Sequence, residues 1–209
     1  MQFEAFKQLP LLGILRGIPQ WSVEPITAVS KESGLKAIEI TMNTENASSL
    51  ITEMRKHAGS GLSVGAGTVT SLNLLKQALD AGAEFIVMPN TNKSIMEYCE
   101  VAGIPVFPGA LTPNEIFDAW ALGATMVKVF PASVFGPSYF KEIKAPFNDI
   151  ELLACGGVST QTIAEFFKNG ASAAAFGASI FKKEWIEQKN FDAIAQEISA
   201  LILAYKNRQ

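Results

Sequence analysis

The stretch Thr112-Pro113-Asn114-Glu115-Ile116-Phe117-Asp118-Ala119-Trp120-Ala121-Leu122-Gly123-Ala124-Thr125-Met126-Val127-Lys128-Val129-Phe130 contains one complete helix-to-strand step. Thr112 and Pro113 read as an N-cap followed by a first-turn proline, where the missing N–H costs nothing. Residues 114–122 continue as a helix, and Gly123 stops it, because helix ends favour a left-handed residue. Residues 125–130 then read as a strand. The same step recurs outward in both directions. Strands are expected at 11–15, 36–40, 62–64, 85–88, 105–107, 151–154 and 173–176, and the starts of the eight lie 20 to 26 residues apart. Helical stretches fall at 46–56, 72–81 and 160–169, with a closing helix at 191–205. Gly34, Gly82, Gly103 and Gly170 precede strands as Gly123 does. Eight strands, each followed by a helix, predict an α/β fold: a (β/α)8 TIM barrel of one domain over residues 1–209. Residues 1–8 form a short N-terminal helix that plugs the barrel bottom.

Composition narrows the chemistry. Hydrophobic residues are 48% and charged residues 18%, so a large core is feasible, and net charge is −3 without a basic cluster, so nucleic acid is not an expected partner. No run approaches the ~18 apolar residues of a membrane span. The short apolar run before Arg16 does not make a secretory signal. Cys99 and Cys155 are the two cysteines and form no CxxC, which suits a reduced, cytoplasmic setting. His57 is the single histidine. No His- or Cys-rich ligand set exists for zinc, and histidine-based triads have little to draw on. Catalysis must use lysine, arginine, carboxylates, hydroxyls and backbone.

Barrel sites form at the C-terminal strand ends, and the strand period of two says which residues point there. In 125–130, Val127 and Val129 suit the outer face against helices, which turns Met126, Lys128 and Phe130 inward. An inward lysine loses hydration, which favours the neutral nucleophilic amine. In 36–40, Ile38 and Ile40 face out, so Ala37, Glu39 and Thr41 face in. Lys128 and Glu39 therefore share the barrel interior. As a mere buried ion pair they would be a poor stability device. As an amine and a proton-moving carboxylate they are a working set for imine chemistry at a ketone.

Arg16 ends the first strand, where a guanidinium can hold a carboxylate or phosphate, though a surface arginine would look the same. Thr68 follows Gly65-Ala66-Gly67 and is either a ligand donor or a helix N-cap. Pro89 and Gly109, after the fourth and fifth strands, shape the pocket floor. Cys155-Gly156-Gly157-Val158-Ser159 and Gly177-Ala178-Ser179 follow the seventh and eighth strands, where barrels commonly bind phosphate through backbone amides.

Taken together, Leu15-Arg16-Gly17, Ile38-Glu39-Ile40-Thr41, Gly65-Ala66-Gly67-Thr68-Val69, Pro108-Gly109-Ala110-Leu111-Thr112-Pro113, Lys128-Val129-Phe130-Pro131-Ala132 and Gly156-Gly157-Val158 resemble one family over nearly the whole chain. It is that of the 2-keto-3-deoxy-6-phosphogluconate aldolases, with the 4-hydroxy-2-oxoglutarate and 2-keto-3-deoxy-6-phosphogalactonate aldolases. The resemblance implies a class I aldolase that cleaves a 2-keto-4-hydroxy acid, either 6-phosphorylated or 4-hydroxy-2-oxoglutarate, reversibly to pyruvate and an aldehyde, glyceraldehyde 3-phosphate or glyoxylate. Lys128 would form the Schiff base and Glu39 would be the general acid/base, working through a water. Arg16 and Thr68 match positions near the keto-acid carboxylate, and Gly156, Gly157 and Ser179 match the phosphate end. Pro89, Gly109, Phe130, Cys155 and Gly177 are further expected substrate contacts. No cofactor or metal is expected, and a cytoplasmic homotrimer is.

Three positions depart from the pattern. Asn43 stands where some members carry Arg, which leaves Arg16 as the main carboxylate clamp. Cys155 replaces a frequent Thr, and Ser133 a Glu of the gluconate type; Ser133-Val134-Phe135-Gly136-Pro137 looks closer to the galactonate type. Two other readings stay open. A sugar-phosphate epimerase or isomerase shares the last two loops but needs no inward lysine. A non-catalytic barrel that senses a phosphorylated sugar needs neither Lys128 nor Glu39.

Overall fold

The computed structural model describes Met1 and residues 3–208; Gln2, within the helix expected over 1–8, and Gln209, the last residue of the domain expected over 1–209, lie outside the described residues. Nine strand segments line up: β1 (Leu11–Leu15), β2 (Ala37–Thr41), β3 (Ser63–Gly67), β4 (Ile86–Val87), β5 (Val106–Phe107), β6 (Gly109–Ala110), β7 (Val127–Val129), β8 (Leu152–Cys155) and β9 (Ala173–Phe176). They pair in parallel in the order β5-β4-β3-β2-β1-β9-β8-β7-β6. The helices are α1 (Phe3–Gln8), α2 (Val23–Glu32), α3 (Ala47–Ala58), α4 (Leu72–Asp80), α5 (Lys93–Ala102), α6 (Pro113–Ala121), α7 (Ser138–Lys144), α8 (Ile163–Lys168), α9 (Lys183–Glu187) and α10 (Phe191–Lys206).

The extra segment is the continuation of the fifth strand. Pro108 has no N–H for a ladder and divides β5 from β6. Its carbonyl still accepts from Lys128 N–H at 2.8 Å, while Thr125 N–H bonds to Val106 and Phe130 N–H to Ala110 at 2.9 and 3.0 Å. On its other side this strand accepts from Ile86 and Met88 N–H at 2.9 and 3.0 Å. The strand from Val106 to Ala110 thus closes the sheet, and the molecule is an eight-stranded barrel with one strand interrupted. The Phe130 and Met88 bonds also extend the ladder past the formal ends of β7 and β4, toward the bounds expected from sequence.

The third strand departs from expectation. It runs on through Gly65-Ala66-Gly67, with Glu39 opposite Gly65 and Thr41 opposite Gly67. Glycine has little intrinsic strand preference, which is why this part read as a loop. Packing overrides it: a Cβ at Gly65 would overlap the Phe85 ring, and one at Gly67 would overlap the Glu39 carboxylate.

The alternation of faces is as read. Ile38, Ile40, Val127 and Val129 belong to the shell between strands and helices. Ala37, Phe85, Phe107, Met126, Leu153 and Ala173 fill the barrel interior. Phe6 of α1 joins that inner cluster, its ring edge-on to Phe107 at 6.2 Å. The N-terminal helix is therefore the plug of the barrel bottom, and burial of each such ring contributes on the order of 1.5–3 kcal/mol. The five glycines read as helix stops all have positive φ. Thr112 caps α6 as expected, in a reciprocal pair with Glu115. No helix among the described residues is long and apolar enough to cross a membrane.

Candidate active site

One cavity of about 450 Å3 opens at the C-terminal strand ends, and Arg16, Glu39, Lys128, Phe130, Cys155 and Gly156 line it together with Gly157, Gly177 and Ser179. These nine, from β2, β7 and β8 and from the loops after β1, β7, β8 and β9, were all singled out in the sequence. Lys128 is 6% exposed and Glu39 is 1% exposed. Lys128 Nζ sits 4.8 Å from the centroid of the Phe130 ring. No ion pair within 4.0 Å joins Lys128, Arg16 or Glu39 to any partner among the described residues. The two inward groups thus share a cavity without quenching one another.

Glu39 Oε2 is buried and has no hydrogen-bond partner among the described residues. A buried, unpaired acceptor costs about 1–3 kcal/mol, and the exceptions to pairing mark functional positions. Burial pushes the Glu39 carboxyl up to about 7, against the opposing pull of the Lys128 and Arg16 cations. A carboxyl at that value takes and returns protons near neutrality. Burial likewise raises the Cys155 thiol, with the Lys128 cation pulling the other way. Cys155 therefore faces Lys128 as a neutral, weakly polar wall.

Three loops meet at the far end. Ala132 N–H donates to Cys155 O at 2.8 Å, which fixes the loop after β7 to β8. Ser179 Oγ donates to Val158 O at 3.1 Å, which fixes the loop after β9 to the loop after β8. Gly156 and Gly157 have φ 105 and 75, a conformation that side chains resist. Successive backbone N–H groups in such a turn make a concave anion site without any lysine.

Pro89 and Gly109 line a neighbouring cavity of about 450 Å3 rather than this one, and Phe130 borders both. A Cβ at Gly109 would overlap the Pro89 carbonyl, so these two residues fix how closely the loop after β4 approaches β6. Thr68, with φ 55, lines neither cavity. Asn43 is exposed in the turn after β2 and lines neither. The lining also includes Ile14, Ser159, Ala175, Phe176, Ala178 and Phe181. Ser159 and Ala178 lie inside loops already singled out; the apolar four carry no chemical signal that a sequence would show. Among the described residues no cluster of three or more His, Cys, Asp or Glu side chains is placed to hold a metal ion.

The family model described as "KDPG and KHG aldolase" matches residues 4–197. A protein of Rhizobium meliloti named probable 2-dehydro-3-deoxy-6-phosphogalactonate aldolase is 35% identical over 174 residues, 83% of this chain and 82% of its own. The 2-dehydro-3-deoxy-6-phosphogalactonate aldolase of Escherichia coli K12 is 32% identical over 201 residues, 95% and 96% of the two chains. A solved structure described as native KDPGal superposes with a TM-score of 0.90 at 30% identity, over 96% of each chain.

Proposed function

The chain belongs to the KDPG and KHG aldolase family, and from that premise we propose that it cleaves 2-keto-3-deoxy-6-phosphogalactonate reversibly to pyruvate and glyceraldehyde 3-phosphate through an imine on Lys128. The observation that carries the residue assignment is the buried lysine and the buried, unpartnered carboxylate on one cavity without an ion pair between them. The Lys128 amine adds to the C2 ketone, and loss of water gives the protonated imine. Glu39 takes the C4 hydroxyl proton as the C3–C4 bond breaks, and the electron pair moves to the imine nitrogen. The aldehyde leaves, Glu39 returns the proton to C3 of the enamine, and hydrolysis frees pyruvate and Lys128. The imine is the electron sink, so the sequence of steps calls for neither a metal nor an organic cofactor. Arg16 holds the keto-acid carboxylate, with the Phe130 ring beside Lys128 on the same cavity. Gly156, Gly157, Gly177 and Ser179 hold the phosphate. As in the family it resembles, the enzyme is a homotrimer of the cytoplasm.

Incubation with pyruvate and sodium borohydride tests the covalent step. A reduced pyruvyl adduct on the peptide containing Lys128 is expected by mass spectrometry; an adduct on another lysine, or none, would sink the nucleophile. The phosphate end has its own outcome. The phosphorylated galactonate substrate should exceed unphosphorylated 4-hydroxy-2-oxoglutarate in kcat/KM by about 10²-fold or more, the value of two charge-assisted hydrogen bonds. Equal values would remove the role given to the Gly156 and Gly177 loops. A higher value for the gluconate epimer than for the galactonate would overturn the choice of substrate.

A further inference from the structure

We propose that Thr44, which lies outside the cavity, is a positioning residue that holds Arg16 over it. Thr44 is 6% exposed, in the turn after β2. Its Oγ1 accepts from Gly17 N–H at 3.0 Å and shares a hydrogen bond with Thr41 Oγ1 at 3.0 Å. Thr44 N–H also donates to Thr41 O at 2.9 Å. Thr41 is fully buried and is the last residue of β2, two positions beyond Glu39 on the same face. Gly17 follows Arg16 directly and bends the chain with φ 63. One buried hydroxyl therefore ties the loop that carries Arg16 to the strand that carries Glu39.

The link matters because of what Arg16 lacks. Its guanidinium has no ion pair among the described residues, so no carboxylate of the protein fixes it. A long side chain that enters a site from a loop is placed by its backbone. If the backbone is free to move, the substrate must supply the ordering when it binds. A threonine is needed rather than another residue of its size. Its single oxygen accepts from Gly17 N–H and shares a hydrogen bond with the Thr41 hydroxyl, and valine in the same volume does neither. The effect therefore belongs to substrate affinity, since neither Lys128 nor Glu39 is touched.

This inference rests on the reading of Arg16 as carboxylate clamp, and the experiment separates the two. The rate of borohydride trapping is measured against pyruvate concentration for Thr44→Val, Thr44→Ala, Thr44→Ser, Arg16→Ala and the Arg16→Ala/Thr44→Val pair. Thr44→Val should raise the half-saturating pyruvate concentration about tenfold, the equivalent of one lost hydrogen bond, with the maximal rate within about threefold. Thr44→Ser, which keeps the hydroxyl, should return to within about twofold. In the Arg16→Ala background, Thr44→Val should add nothing. Wild-type half-saturation in Thr44→Val, or a tenfold rise that persists without Arg16, would overturn the proposal. So would a loss of maximal rate at unchanged half-saturation. Should Thr44→Val not fold, Thr44→Ala carries the same expectations. Wild-type half-saturation in Arg16→Ala would remove the clamp itself, and the role of Thr44 with it.

Discussion

Lys128→Ala is expected to lower kcat for retro-aldol cleavage by at least about 10⁴-fold, the scale seen when a covalent nucleophile is removed. The reason is the absence of any replacement. The cavity is lined by one lysine, and the other cation on it, Arg16, does not form imines. Lys128→Arg separates charge from nucleophilicity. It keeps a cation against the Phe130 ring, so it should keep substrate binding to the extent that charge matters, yet be as inactive as the alanine variant. Steady-state cleavage assays with trapping in parallel check both. Activity of Lys128→Arg within about 10-fold of wild type would mean that the lysine acts as a charge and not as a covalent catalyst. Substrate binding in Lys128→Ala, read by calorimetry, should survive, because Arg16 and the Gly156 and Gly177 loops are untouched.

That Lys128 and Glu39 would meet was legible because strand period and residue type agreed. Val127 and Val129, like Ile38 and Ile40, pack against helices in the outer shell, and a strand with valines outside has to place its lysine inside. The closure of the sheet was less legible. A proline within a strand is a strong local signal for an end, and only the pairing on both sides shows that the chain continues through Pro108. Gly65 and Gly67 are room for Phe85 and for the Glu39 carboxylate itself, which nothing in the glycines announces. Local chemistry cannot say which neighbour a missing Cβ makes way for. Thr68 shows the converse. A hydroxyl at a strand end invites a ligand role, but that residue borders neither cavity. The Thr44 to Gly17 bond joins residues 27 apart in the chain, and no motif spacing announces it.

Glu39→Gln carries the second large effect, and it is expected to act on activity and stability in opposite directions. Removing the proton carrier should lower kcat by about 10²- to 10⁴-fold. In wild type kcat/KM should rise through about pH 7 as Glu39 ionises, since the base form takes the C4 hydroxyl proton, and the Gln variant should lose that inflection. Stability follows from the same shift. Burial raises the carboxyl from 4.5 to about 7, so between these values the folded chain binds a proton that the unfolded chain has released. The stabilisation this proton gives is complete below about pH 4.5 and is lost as pH rises through about 7. Above that, an ionised carboxylate stays buried beside Lys128 and Arg16 with one oxygen unpartnered, at a cost on the order of 3 kcal/mol. Glutamine carries no charge and escapes that cost. Thermal unfolding at pH 8 should place Glu39→Gln about 6 to 12 °C above wild type, and the two should converge near pH 4. A Gln variant less stable than wild type at pH 8 would mean that the two cations stabilise the carboxylate by more than burial destabilises it. Glu39 would then be half of a structural ion pair, and the proton transfers assigned to it would need another carrier on this cavity, where no other carboxylate stands.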